Sequence, residues 1–233
     1  VYTLYLASER LNTAGAWGTS VETFFASEQE KYLRFGNLVQ VTTTTLNSEG
    51  GNSGMKLHRN MELVDIMVRG SVGFQDSFGV TSMLPESTVQ VVSAGKGIYQ
   101  MEFNAGTQEA EKLQIGFLPS SLNREPVKTK ALFDLYQNNN TLVELVSPNN
   151  IASLTVRQHA AVLLGEFDAG RNLGYTLNSN MVGLFIYVLN GVVSVHTQIL
   201  RRGDSVGIAN EEQVMIQTAE QSRLLVIEVA MGD

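Results

Sequence analysis

Residues 183–197 read GLFIYVLNGVVSVHT. Gly183 to Leu189 is an apolar run of strand length, Asn190-Gly191 interrupts it, and Val192 to Thr197 returns. Asn and Gly both tolerate positive φ, so the pattern predicts a β-hairpin. Ile199 to Asp204 then turns the chain into Ser205 to Ile208. An earlier stretch repeats this outline. Leu63 to Val68 is strand-like, Arg69-Gly70 turns it, Ser71 to Gln75 returns, and Asp76-Ser77-Phe78-Gly79 turns again. The shared outline predicts an internal duplication with a period of ~120 residues.

Elsewhere, turn signals recur about every eight to twelve residues, the spacing of sandwiches and barrels. Helical periodicity is confined to Glu28–Phe35 and Val127–Gln137, each expected to form a short helix. The reading is all-β: two jelly-roll barrels with few short helices. Asn138-Asn139-Asn140, followed by Pro148-Asn149-Asn150, marks a junction, giving domains over 1–137 and 138–233. A single larger β-sandwich is the competing arrangement.

With 233 residues and a hydrophobic fraction of 43%, the chain is long enough to bury a sizeable core. The formal net charge of −7, with no basic run beyond Arg201-Arg202, argues against direct nucleic-acid binding. There is no cysteine, which removes disulfides, thiolate metal ligands and a cysteine nucleophile, and fits a reducing, cytoplasmic compartment. No apolar run reaches the roughly 18–20 residues that span a bilayer, so no membrane partner is expected.

Only three histidines are available: His58, His159 and His196. Residues i and i+2 of a strand share a face. Lys56 and His58 therefore share one in 55–59, and Gln100 and Glu102 share one in Ile98–Phe103. Tyr99, Met101 and Phe103 would pack on the opposite side, and Trp17 is also expected in the core. Two strands presenting polar groups inward can build a site in a barrel mouth. His159 and His196 are expected as ordinary hydrogen-bonded or exposed histidines, and Glu62 as a strand-surface or structural residue. Gly95-Lys96-Gly97 lacks a following helix and reads as a turn rather than a phosphate loop.

These segments resemble the pirin family. Gly54-Met55-Lys56-Leu57-His58-Arg59-Asn60-Met61-Glu62-Leu63 is similar to the pirin segment G-T-H-P-H-R-D-M-E-I, and Asp76-Ser77-Phe78-Gly79 to its D-S-x-G turn. Ser93-Ala94-Gly95-Lys96-Gly97-Ile98-Tyr99-Gln100-Met101-Glu102 resembles S-A-G-x-G-V/I-x-H-S-E. Tyr5 to Arg10, Trp17, Thr23-Phe24-Phe25 and Leu113 to Pro119 also find counterparts, as do Val156 to His159 and Phe167 to Gly170. The resemblance covers nearly the whole chain.

The resemblance implies a bicupin whose N-terminal barrel holds one metal, commonly iron, on three histidines and a glutamate. Some bacterial members open quercetin with dioxygen, and the animal protein is a nuclear transcription cofactor. Carried over by position, the ligands would be Lys56, His58, Gln100 and Glu102, of which only His58 and Glu102 match. Lysine must lose a proton to ligate, at roughly 4–5 kcal/mol at pH 7 from a pKa of about 10.4. An amide oxygen is a weak ligand for transition metals.

The expectation is therefore no metal cofactor, with Lys56 paired to Glu102 and with Gln100 and His58 completing a polar cluster. The implied role is binding of a small aromatic ligand or of a protein partner. The alternative is a dioxygenase acting on quercetin-like flavonols, with one Fe, Ni or Cu ion in the N-terminal barrel and Glu102 as ligand or base. A Schiff-base role for Lys56 has no supporting feature.

Overall fold

The computed structural model describes residues 1–48, 51–148, 153–177 and 183–231. The first half contains twelve strands: β1 Tyr2–Tyr5, β2 Leu11–Gly15, β3 Gly18–Glu22, β4 Leu38–Leu46, β5 Lys56–His58 and β6 Glu62–Arg69. β7 Ser71–Asp76, β8 Thr81–Pro85, β9 Thr88–Ser93, β10 Ile98–Asn104, β11 Ala110–Phe117 and β12 Val127–Leu132 follow. The second half adds β13 Leu142–Val146, β14 Ala160–Phe167, β15 Asn172–Thr176, β16 Gly183–Asn190 and β17 Val192–Val195. It ends with β18 Gln198–Arg201, β19 Ser205–Ala209, β20 Gln213–Thr218 and β21 Ser222–Val229. Two 3-10 turns, Ala7–Glu9 and Glu30–Tyr32, are the helical elements among the described residues. None is long and apolar enough to cross a membrane.

The two halves repeat each other in their central strands. β6 lies between β9 and β11, and β16 between β19 and β21; β7 lies between β8 and β10, and β17 between β18 and β20. Each half is thus a large and a small sheet closed face to face, the jelly-roll arrangement expected from the sequence.

Three local expectations are corrected. Asn190-Gly191 does turn the chain, with Gly191 at φ 87, but it joins no hairpin. Both edges of β16 are already taken by β19 and β21, so the turn carries the chain across to the opposite sheet. Arg69-Gly70, with Gly70 at φ 74, is the matching corner in the first half. Val127–Leu132 is a strand rather than a helix, because it supplies hydrogen bonds to the edge of β9 from Val127↔Ser93 to Leu132↔Thr88. Glu28–Phe35 contains only the 3-10 turn.

The largest core lies between the barrels. Val64, Ile66, Val91 and Ile115 face Phe185 and Ile227 there, all at most 2% exposed. Each such side chain stabilises by about 1.5–3 kcal/mol, an upper bound on transfer grounds. Because strand side chains alternate, Leu63, Asp65 and Met67 point the other way, into the first barrel. The first strand crosses over: β1 pairs with β19, from Tyr2↔Ile208 to Tyr5↔Ser205, so residues 2–5 extend the second barrel's sheet. The expected junction at 137/138 falls between β12 and β13; Asn149 and Asn150 lie outside the described residues.

Candidate functional site in the N-terminal barrel

The interior of the first barrel is apolar at both ends and polar in the middle. Leu46, Met67 and Phe74 with their neighbours fill one end; Leu63, Val92 and Ile98 fill the other. Between them runs a cross-strand row of polar residues, because register places Thr42 opposite Gln114, Gln114 opposite Asp65, and Asp65 opposite Gln90.

Lys112 lies at the centre of this belt. Its ammonium sits 2.9 Å from Asp65 Oδ1 and 2.6 Å from Glu102 Oε1, with the Lys112 and Asp65 side chains 1% exposed. Gln114 Nε2 donates to the same Asp65 oxygen at 2.8 Å, and Gln40 Nε2 donates to Gln114 Oε1 at 2.8 Å. The register between β11 and β6 slips between Glu111 and Lys112, at the point where Lys112 enters the barrel. Burial alone pulls the lysine pKa down, but Asp65 and Glu102 outweigh it and hold the group above its ordinary value. Lys112 is therefore an internal cation held by two carboxylates.

The family ligand positions are brought together only in part. Lys56 pairs with Gln100 and His58 with Ile98 across β5 and β10, so all three polar side chains start on the barrel side. Gln100 and Glu102 are buried. His58 is half-buried, and burial holds its imidazole below the usual value. Asp65 and Glu102 pull that value up, while Lys112 and Lys56 push it down.

The expected Lys56–Glu102 pair is not formed. Lys56 is exposed, its ammonium 5.8 Å from the centroid of Trp17. β5 is a three-residue strand at the rim, where a lysine stem can keep its charge in water, and Glu102 takes its cation from β11 instead. Gln100 Oε1 and Asp65 Oδ2 are buried without a hydrogen-bond partner, so the expected cluster is not closed at Gln100.

This donor set does not fit a transition-metal ion. Among the described residues no three His, Cys, Asp or Glu side chains converge as ligands would. The one glutamate in position is hydrogen-bonded to an ammonium. A unit charge 4 Å from another is repelled by about 4 kcal/mol at an effective dielectric of 20, and a divalent ion would meet twice that beside Lys112. Among the described residues the second barrel offers no substitute: register places Ile186, Val214, Ile216 and Leu224 where the first has Asp65, Gln100, Glu102 and Lys112.

Other sequence candidates fall elsewhere. Glu62 is buried, accepting from Ser93 Oγ at 2.5 Å and from the Arg157 backbone N–H at 3.0 Å, and so ties the two halves together. Gly95-Lys96-Gly97 is a turn, with Gly95 at φ 48 and Gly97 at φ 133. His159 is neither the exposed nor the hydrogen-bonded histidine expected: it is half-buried, its backbone N–H donates to Gln158 Oε1 at 2.7 Å, and its ring Nε2 is buried without a hydrogen-bond partner. His196 meets Tyr2 edge-on. Tyr99 is not in the core but 49% exposed, and Phe103 is only partly buried, because the outer face of the small sheet meets solvent; Trp17, in the turn between β2 and β3, is partly buried against the Leu46, Met67 and Phe74 cluster. Asp65, Lys112 and Gln114 were missed by ligand-position reasoning. Their signal is a charge or amide inside an otherwise apolar strand, which burial obliges to find a partner.

Two jelly-roll barrels packed through their large sheets define a bicupin. The chain belongs to the pirin family: the family profile described as pirin matches residues 7–116, and the one described as the quercetinase C-terminal cupin domain matches residues 144–229. A pirin-like protein of Caulobacter vibrioides is 28% identical over 74% of this chain and 75% of its own length. The quercetin 2,3-dioxygenase of Escherichia coli strain K12 is 24% identical over 96% of both chains. The crystal structure of the bacterial pirin YhhW from Escherichia coli, in complex with nickel(II), superposes with a TM-score of 0.89 at 22% identity, covering 99% of each chain.

Proposed function

We propose that this protein is a metal-independent pirin-type bicupin, whose first barrel uses a built-in lysine cation where relatives use a metal, and which acts by binding a small aromatic ligand or a protein partner. One observation carries the reading: the contact of 2.6 Å between Lys112 and Glu102, which occupies the glutamate that a metal would need. Lys56, Trp17 and His58 at the rim would offer an aromatic ligand a ring face, a cation and a neutral imidazole. A cytoplasmic location fits the lack of cysteine. The test is metal analysis of protein purified without chelators, alongside quercetin absorbance with added Ni²⁺, Fe²⁺ or Cu²⁺. The reading predicts substoichiometric metal and no turnover; one tightly retained ion per chain would sink it.

A second reading, metal-dependent cleavage of quercetin-like flavonols, is favoured by the dioxygenase relative that matches along 96% of the chain. It requires Glu102 to leave Lys112 and ligate. Turnover in wild type, lost in Glu102→Ala, would establish it.

A further inference from the structure

Arg10 closes the segment Ser8-Glu9-Arg10, which the barrel site does not use. It follows the 3-10 turn Ala7–Glu9, and its side chain is 7% exposed. The guanidinium lies over the Tyr187 ring, 4.3 Å from the centroid, and Nη2 donates to Ser205 Oγ at 2.9 Å. Nε and Nη1 are shielded and make no well-aligned hydrogen bond, the Tyr187 hydroxyl being the polar group that interacts with the guanidinium. Asp204 acts on this charge only through space. Its two oxygens accept from backbone, Oδ1 from Ala7 N–H at 2.8 Å and Oδ2 from Arg201 N–H at 2.9 Å.

Arg10 also walls a pocket of about 380 Å³. Thr43, Thr45 and Arg69 come to it from the first barrel, Tyr187 and Arg202 from the second. Its charged lining is three arginines against Glu109 and Glu111. Arg69 is already paired with Glu109 at 3.3 Å. Arg202 is exposed at the edge. A buried guanidinium with two idle N–H donors is short of an acceptor. Planar N–H donors match the paired oxygens of a carboxylate or phosphate.

We propose that this inter-barrel pocket binds a small anion, a carboxylate or phosphate group held between Arg10 and Arg202 with the Thr43 and Tyr187 hydroxyls beside it. The site is separate from the barrel interior and does not depend on how that interior works.

Calorimetric titration of the full chain with sodium phosphate, and separately with sodium succinate, at constant ionic strength tests it. Saturable one-site binding is expected, with a rise in thermal midpoint. Saturation by phosphate alone, by succinate alone, or by both would each support the site and name the group it prefers. Arg202→Ser removes an exposed side chain and should weaken binding roughly tenfold or more, equivalent to about 1.4 kcal/mol. Arg10→Lys keeps the charge but loses the fork and should weaken binding further. No saturation by either anion, or unchanged affinity in Arg202→Ser, would overturn the proposal.

Discussion

The Lys112 ammonium is held 2.6 Å from the Glu102 carboxylate inside the first barrel, and Asp65 clamps it from the other side at 2.9 Å. The pair joins neighbours in sequence, β10 and β11, that belong to opposite sheets. It therefore pins the barrel closed across its polar middle.

Removing that cation should be costly. Lys112→Met leaves two buried carboxylates facing each other, and a loss of about 3–5 kcal/mol is expected in urea unfolding at pH 7. Adding Asp65→Asn and Glu102→Gln to Lys112→Met removes the stranded charges and should recover much of that loss. If Lys112→Met alone is neutral, the triad is not a structural clamp.

Rebuilding a metal site should require Lys112 to go. Lys56→His with Gln100→His restores the family's ligand types but leaves the ammonium beside Glu102. Adding Lys112→Met to the pair should tighten Ni²⁺ binding by roughly a hundredfold or more over the double variant, since even a few kcal/mol of relieved repulsion spans that range. Calorimetric titration with Ni²⁺ compares the two. Equal affinities would show that Lys112 does not oppose a metal.

His58 predicts the acid limb of stability. Its folded pKa lies below the ordinary 6.5. The unfolded chain therefore binds a proton first as pH falls, so this contribution is present above about 6.5 and is lost as pH drops toward the folded value. His58→Gln should flatten the stability–pH curve in that window. Lys56 is one of the charges that push His58 down, so Lys56→Gln should move the imidazole midpoint upward in an NMR titration. Lys112 has the opposite sign: with its folded pKa raised, its contribution is full below about 10.5 and fades only in strong alkali.

Glu62 should govern how firmly the halves are joined. Glu62→Gln keeps the shape but loses the charge on two buried hydrogen bonds, to Ser93 and to the Arg157 backbone. A loss of about 1–3 kcal/mol is expected in urea unfolding, together with faster proteolysis near Arg157. Resistance equal to wild type would place the join elsewhere.

Much of the architecture was legible because it depends on local chemistry. The run Leu63–Val68, the corner at Gly70 and the repeat of both around Gly191 follow from apolar spacing and positive φ. Sheet membership was not legible: nothing local to Asn190-Gly191 says that β16 already has two neighbours. The inward face of Gln100 and Glu102 follows from alternation, but the cation beside Glu102 is Lys112 and not the expected Lys56. Lys56 stands at a family ligand position, whereas nothing at position 112 marks it by family pattern. Lys112 is ten residues from Glu102 along the chain, and only the closure of one sheet over the other brings them together. Its clue was a lysine alternating with Gln114 on a strand whose residues from Leu113 to Phe117 are otherwise apolar and buried.

The crossing of β1 has a consequence for the order in which the molecule is made. Tyr2–Tyr5 are synthesised long before the strand they pair with, Ser205–Ala209. Until then β1 has no sheet to join, and until β1 arrives the β19 edge of the second barrel lies open to strand addition by any passing chain. A strand made early thus acts as the final closure of the second barrel. A fragment beginning at residue 138 would carry that edge uncovered and should self-associate where the whole chain does not.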